Sequence, residues 1–151
     1  MTQPIPDGFH TVTPYLTVRG AARALAFYKK AFGAVETMRI GSDEQVGHAE
    51  MRIGNSPIML ADEYPDMDIK GPEAYGGSPV TIHLYVADAD AVAARAVAAG
   101  ARVLRPVEDQ FYGDRGGKLV DPFGHVWWIA THKEDLSNEE IQKRAAALYG
   151  G

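Results

Sequence analysis

The sequence predicts an α+β fold built from two tandem β-α-β-β-β modules and a C-terminal helix. The residues after position 79 repeat the pattern of those after position 9 at a constant offset of 68, as from Val12 to Val80 and from Val18 to Val86. A segment without periodicity separates the two copies. Within each copy the apolar spacing changes from that of a strand to that of a helix and back, which indicates one structural unit written twice.

The first module is predicted over residues 9–62. The segment FHTVTPYLTV (9–18) is β-branched and aromatic, which predicts a strand, and GAARALAFYKKAFG predicts a helix that ends at Gly33. Three further strands are separated by the turn-forming segments GSDE and GNS. These strands are predicted at 35–40, 46–53 and 57–62.

The remaining boundaries rest on turn and capping signals. Residues 63–78 are rich in Pro, Gly and acidic residues and predict a joining loop, after which the second module occupies 79–132. Ser137 and Glu140 have the spacing of a capping box, which predicts a helix over 136–149. We treat the whole chain as a single domain.

Composition excludes several classes of function. The formal net charge is -5 and the basic residues are scattered, so we expect no nucleic-acid partner. No apolar run has the length of a bilayer span, so we expect no membrane partner. The chain has no cysteine, which removes disulfides and thiolate chemistry. Together with an N-terminus unlike a signal peptide, this predicts a cytoplasmic protein.

Alternation along the predicted strands sorts side chains onto two faces of each sheet. The helix-covered face takes apolar residues such as Leu16 and Leu84. The opposite face takes polar and aromatic residues: Tyr15, Thr17, His48, Glu50, Arg52, Thr81, His83, Tyr85, Lys118 and Trp128. Because Tyr and Trp rings suit a cavity better than bare solvent, we predict a cavity for a small molecule. The alternative is an open sheet with a solvated polar face.

The loop before the last hairpin is a second candidate binding element. The segment DQFYGDRGG places Phe111, Tyr112 and Arg115 between strands, and we predict that they contact the ligand. The alternative is a flexible hairpin in which Asp114 and Arg115 pair in solvent. The DPFG segment that follows suits a tight turn with a structural role, and His125 after it is interpreted as a structural histidine.

The paired modules, YLTVRGAARALAFYKKAFGA near the start and DPFGHVWWI near the end resemble the glyoxalase/bleomycin resistance/extradiol dioxygenase superfamily, the vicinal oxygen chelate fold. The resemblance covers about residues 9–132. It implies curved mixed sheets around a U-shaped cavity, helices on the outer face, and assembly as a homodimer. It also implies a divalent metal held by His or Glu on the first and last strands of each module. Carried over by the motif, those positions are Thr13, Leu60, Thr81 and Trp128.

None of these four side chains is a conventional metal ligand, so we expect no cofactor. The leading hypothesis is a glyoxalase-like protein that binds a small organic molecule without a metal in a Tyr/Trp-lined cavity, as its drug-sequestering relatives do. Whether the protein is an enzyme is left open by the sequence.

Catalysis is the competing hypothesis. A lyase, isomerase or dioxygenase could use His83, His48 and Glu50, either as relocated ligands of a divalent metal or for acid–base chemistry. A shared ion is disfavoured because side chains on non-adjacent strands lie about 10 Å apart. A third hypothesis is a vestigial pocket on a protein that acts through its surface.

Overall fold

The computed structural model describes residues 2–150. These residues form two four-stranded mixed sheets and three α-helices. The predicted α+β class and the paired β-α-β-β-β order are confirmed. None of the helices among residues 2–150 is long and apolar enough to cross a membrane. A homodimer and a cytoplasmic location stay predictions.

The first sheet has the strand order β1-β4-β3-β2. Strand β1 pairs in parallel with β4, and the other neighbours are antiparallel. The elements are β1 Tyr15–Val18, α1 Ala21–Phe32, β2 Val35–Gly41, β3 Val46–Ile53 and β4 Ser56–Asp62. Residues 9–14, predicted as the start of β1, are not strand. Pro14 precedes β1 and has no N–H to donate to a ladder.

The second sheet repeats this topology with the order β5-β8-β7-β6. Its elements are β5 Thr81–Tyr85, α2 Ala89–Ala98, β6 Arg102–Asp109, β7 Asp114–Val120 and β8 Val126–His132. Helix α3, Asn138–Tyr149, follows. The Ser137 hydroxyl accepts a hydrogen bond from the Glu140 N–H at 3.1 Å, so the predicted cap is confirmed.

The chain divides into two compact units. The first contains the residues up to Pro79 together with Pro122–His125, and the second contains Val80–Asp121 and the residues from Val126 onward. Within the first unit the Phe123 ring lies 6.2 Å from that of Phe27, and His125 Nε2 donates to the Thr17 carbonyl at 2.9 Å. The DPFGH turn is therefore a structural element, as its sequence predicts.

Each unit has a core between its helix and one face of its sheet. In the first unit Tyr28 on α1 is fully buried, as are Val18 and Leu60 on the strands. In the second unit Ile129 and Trp127 are buried in the same way. Each such side chain contributes about 1.5–3 kcal/mol to folding.

Helix α1 begins without a capping side chain of its own. Gly20, in the left-handed conformation with φ 92°, stands at the N-cap. Asp62, at the end of β4, accepts from the Gly20 and Ala21 N–H groups with one oxygen and from Val46 N–H with the other, all at 2.8 Å. This carboxylate is 6% exposed, so it ties the helix start and two strands together in the protein interior.

The second unit places a different side chain at the corresponding point. Thr131 Oγ1, near the end of β8, accepts from Ala89 N–H and donates to the Val86 carbonyl, both at 2.9 Å. Helix α2 also has a local cap, because Asp88 accepts from Ala91 N–H at 3.1 Å. The N-terminus of α2 is therefore capped both by an adjacent residue and by a residue that is distant in sequence.

The segment 63–78 is more ordered than the predicted loop. It contains two 3₁₀ turns, Pro65–Met67 and Pro72–Tyr75. The Glu63 carboxylate accepts from Gly71 N–H at 2.7 Å and pairs with Arg19. These contacts, the backbone hydrogen bond first, lower the pKa of Glu63. The segment is thus fastened to the end of β1.

Candidate binding faces

The side of each sheet that α1 or α2 does not cover is called here the open face of that sheet. On the first open face, strand register places Tyr15, Met59, Glu50 and Met38 side by side across β1, β4, β3 and β2. Further along the same face, Thr17 pairs with Ala61 and His48 pairs with Ile40. Arg52 lies further along β3 and is exposed. The predicted polar residues of this module therefore share one face.

Three of these side chains form a continuous hydrogen-bonded chain. The Tyr15 hydroxyl lies 2.8 Å from His48 Nδ1, and His48 Nε2 lies 2.8 Å from a Glu50 carboxylate oxygen. An ionised carboxylate only accepts, so Nε2 carries the imidazole proton. In the neutral ring Nδ1 is then an acceptor, and the Tyr15 hydroxyl donates to it. Glu50 thus fixes the tautomer of His48, and His48 orients Tyr15.

Exposure increases along this chain towards Tyr15. The side chains of Glu50 and His48 are 19% and 24% exposed, whereas Tyr15 is 51% exposed. Partial burial, followed by the charge of Glu50, raises the pKa of Tyr15. The phenol is therefore protonated at neutral pH and accessible to a small molecule.

Tyr15 also lines a cleft within the first unit. The cleft has a volume of about 240 Å³, below the usual range of about 300–1,000 Å³ for drug-sized ligands. Lys70, Tyr75 and His125 are among the other residues that line it. The Lys70 ammonium pairs with Asp68 at 3.1 Å. The cleft suits a molecule of a few heavy atoms rather than a large ligand.

The second open face carries different chemistry on the same framework. Register aligns His83, Trp128, Lys118 and Arg105 across β5, β8, β7 and β6. The His83 ring centroid lies 4.7 Å from that of Tyr85 and 6.3 Å from that of Trp128, with interplanar angles of 39° and 34°. Thr81, also exposed, lies at the start of β5. This face therefore has an aromatic surface at one side and two cations at the other.

Trp128 is held close to the sheet by the absence of a neighbouring side chain. A Cβ added to Gly116 would lie 2.5 Å from Trp128 Nε1. This Nε1 is buried and has no hydrogen-bond partner among residues 2–150. The glycine leaves the space in which the indole lies over β7.

Asp114 connects the end of this face to a histidine. The 5% exposed carboxylate of Asp114 accepts from the Tyr85 hydroxyl at 3.3 Å and lies 2.7 Å from His132 Nδ1. His132 Nε2 lies 2.8 Å from Asp135. The hydrogen bond to Asp114, then that to Asp135, raises the pKa of His132. Burial, followed by the Asp114 charge, raises the pKa of Tyr85.

The three predicted loop residues have structural contacts. Phe111 packs edge-to-face against Tyr112 and Tyr149, at 5.2 and 6.0 Å between centroids, and its carbonyl accepts from Arg144 of α3. Burial raises the pKa of Tyr112. Their role in ligand binding stays a prediction.

Arg115 forms ion pairs with two acidic side chains. Its guanidinium donates to both carboxylate oxygens of Asp90 on α2, at 2.7 and 3.1 Å, and to Asp109 at 3.1 Å. The hydrogen bonds to these two acids raise the pKa of Arg115. The predicted alternative pair with Asp114 is not the one that forms, because Asp114 is bound to His132. Ligand contact by Arg115 stays a prediction.

The metal positions implied by the family resemblance do not provide metal donors. Leu60 was placed there wrongly, because it is fully buried and pairs with Leu16 on the helix side, and Met59 occupies the open face instead. Thr13 and Thr81 offer only neutral hydroxyls, and the Trp128 indole is a donor without a lone pair. No group of three or more His, Asp or Glu side chains within residues 2–150 could hold a metal ion. The donor set does not fit the implied metal.

Several residues at these faces were missed by sequence reasoning. They are Met59, Lys70, Arg105, Asp114 and His132 as site residues. Arg105 could have been found, because alternation along β6 places it beside Lys118. Lys70 could not have been found, because it lies in an aperiodic segment and the sequence does not predict the path of that segment.

These observations define a protein of paired β-α-β-β-β units, each with a helix on one face and polar and aromatic residues on the other. Residues 8–129 match the model of the glyoxalase/bleomycin resistance protein/dioxygenase superfamily. The chain belongs to this superfamily.

Individual proteins are similar to this chain over most of its length. An uncharacterised protein of Mycobacterium tuberculosis is 45% identical over 144 residues, which cover 93% of this chain and 85% of that protein. The solved structure of an Arabidopsis thaliana gene product is 32% identical, with a TM-score of 0.64, over 81% of this chain and 98% of that one. The structure of TioX from Micromonospora sp. ML1 has the same TM-score at 24% identity, covering 82% and 98%. At this identity the likeness shows the fold alone.

Proposed function

We propose that the protein binds a small planar organic anion, such as an aromatic carboxylate, on the second open face. The observation that carries this proposal is the row of His83, Trp128, Lys118 and Arg105 across one sheet. Rings at one end offer stacking surface, and two cations at the other offer charge-assisted hydrogen bonds to a carboxylate. The binding needs no metal.

The dimensions of the row support a ligand of about two fused rings. Neighbouring strands lie about 4.8 Å apart, so the row from β5 to β6 spans roughly 14 Å. An aromatic ring over His83 and Trp128 would carry its carboxylate towards Lys118. Neither Lys118 nor Arg105 makes an ion pair with another residue in the described part of the chain, so both can serve a ligand.

A solved structure with this fold is compatible with the binding of small anions. One solved structure is a fosfomycin resistance protein from Listeria monocytogenes in complex with Mn(II) and a dihydroxypropylphosphonic acid. That protein is 19% identical to this chain. Its metal has no counterpart in the donor set described above, and we propose that the cations take over the recognition of negative charge.

The two tryptophans allow a direct test by NMR. Trp127 is 1% exposed and donates to Asp121, whereas Trp128 lies on the second open face. On titration with 2-naphthoate, we expect the indole N–H signal of Trp128 to shift and that of Trp127 to stay. The variant Trp128→Phe assigns the two signals and is expected to weaken binding.

A saturated analogue provides the control ligand. Decahydro-2-naphthoate has the same charge but no aromatic face, so the loss of stacking should weaken its binding by up to about tenfold. Equal binding of the two acids, or a shift of both indole signals together, would contradict the proposal.

A further inference from the structure

We infer that Tyr15, His48 and Glu50 of the first unit form a nucleophile–base–carboxylate triad that transfers acyl groups from small esters. The inference is independent of the proposed anion site, which lies in the second unit. Its basis is the chain of two hydrogen bonds, each 2.8 Å, that joins the three side chains.

The roles follow from the geometry. An activated nucleophile needs a base within hydrogen-bond reach, and the base needs a third group that orients it. Tyr15 is the hydroxyl nucleophile, His48 Nδ1 the base, and Glu50 the carboxylate that holds the opposite ring nitrogen. The tyrosine is protonated at neutral pH, so it needs the base in order to attack.

The surroundings favour Tyr15 as the group that meets the substrate. It is the most exposed member of the triad, at 51%, and it lines the cleft of about 240 Å³. Lys70 lines the same cleft, and its ammonium, which pairs with the exposed Asp68, is the cationic group that we assign to a developing oxyanion. The cleft volume limits the acyl group to a short chain.

The reaction balances with water as the second reactant. Tyr15 Oη attacks the ester carbonyl carbon while its proton passes to His48 Nδ1; the bond to the alcohol oxygen then breaks, and that oxygen takes the proton. Water next loses a proton to Nδ1 and attacks the acyl carbon. The bond to Tyr15 Oη breaks, the proton returns to it, and the products are an acid and an alcohol.

The probe is p-nitrophenyl acetate, whose released nitrophenolate is coloured. We expect hydrolysis with an initial burst, and mass spectrometry of the trapped protein should place one acetyl group on Tyr15. His48→Gln should slow acylation by about a hundredfold, the usual contribution of a general base. Glu50→Gln should slow it less, because the base stays in place with a poorer orientation.

Tyr149→Phe is the matched control. Tyr149 is 75% exposed on α3 and contacts the Phe111 ring rather than an imidazole, so this variant should react like the parent. Tyr15→Phe should abolish the burst while keeping the circular dichroism spectrum and the Trp128 response to 2-naphthoate.

Three results would overturn the inference. They are acetylation of exposed tyrosines and lysines to the same extent as Tyr15, a burst that survives in Tyr15→Phe, and an unchanged rate in His48→Gln. Since the 2-naphthoate titration reports on Trp128 alone, failure of the triad and failure of the anion site can be told apart.

Discussion

The two open faces have the same strand order, but the row of side chains across the middle of each sheet differs in charge. Across the first sheet the row is Tyr15, Met59, Glu50 and Met38, and across the second it is His83, Trp128, Lys118 and Arg105. An acid stands where the other unit has a lysine, and a methionine where it has an arginine. The two modules therefore share a framework, while the residues on their open faces differ.

The helix-covered side shows the opposite behaviour. Asp62 and Thr131 differ chemically, yet each accepts a hydrogen bond from the N–H of the first residue of its helix, Ala21 or Ala89. At the helix starts, the two modules therefore keep the same hydrogen-bonding role with different residues. On the open faces, equivalent positions in the two sheets carry residues of different chemistry.

The largest expected effect is on the scaffold and tests whether the two capping positions are equivalent. Asp62→Ala leaves three N–H groups without their acceptor and should lower the free energy of unfolding by about 3 kcal/mol. Thr131→Val removes an acceptor from one N–H, and should cost about 1 kcal/mol. Urea unfolding followed by circular dichroism measures both values. Equal losses would show that the two caps are energetically alike.

The charge difference between the faces can be tested by exchange. Lys118→Glu should weaken 2-naphthoate binding more than tenfold, which is about 1.4 kcal/mol or more, because it replaces an attraction by a repulsion. Calorimetric titration measures the dissociation constant. Lys143→Glu on α3 makes the same change of net charge away from the face and serves as control. If both variants bind equally, the local position of Lys118 is not what recognises the anion.

The smallest expected effect is a pH dependence specific to the second unit. The pKa of His132 is raised by Asp114 and Asp135 above its ordinary value of 6.5. A raised folded-state pKa means that the stabilisation is fully present below pH 6.5 and is lost as the pH rises through the folded value. The difference in unfolding free energy between the parent and His132→Gln should therefore shrink with increasing pH. A difference that grows with pH would contradict the assignment.

Much of the fold could be predicted from the hydrophobic periodicity of the sequence and from its internal repeat. The helix at 20–33, the strand at 46–53 and the capped helix after Ser137 all depend on local signals, and the structure has them within a residue or two. The wrong placement of Leu60 on the open face arose from the length of a turn. The connection from β7 to β8 is one residue longer than that from β3 to β4 when the registers are compared, and a slip of one residue moves a side chain to the other face.

The candidate triad could be predicted only in part. Alternation placed Tyr15, His48 and Glu50 on one face, but their contact depends on β4 lying between β1 and β3. The backbones of non-adjacent strands are about 10 Å apart, so alternation alone predicts no contact between Tyr15 and His48. The length of the tyrosine side chain nevertheless lets its hydroxyl reach across the intervening strand. Sequence periodicity predicts the face of the sheet on which a residue lies, but not how far its side chain extends across neighbouring strands.

The cap of α1 by Asp62 has a consequence for the order in which the chain acquires structure. During synthesis from the N-terminus, α1 emerges well before Asp62, so its first N–H groups must await the docking of β4. In helix α2 the Ala89 N–H also awaits a distant strand, since its acceptor is Thr131, but Ala91 N–H is capped at once by the neighbouring Asp88. Nascent chains that end before Asp62 should therefore expose an unfinished first helix to chaperones, whereas the later module can begin to order as soon as its helix is made.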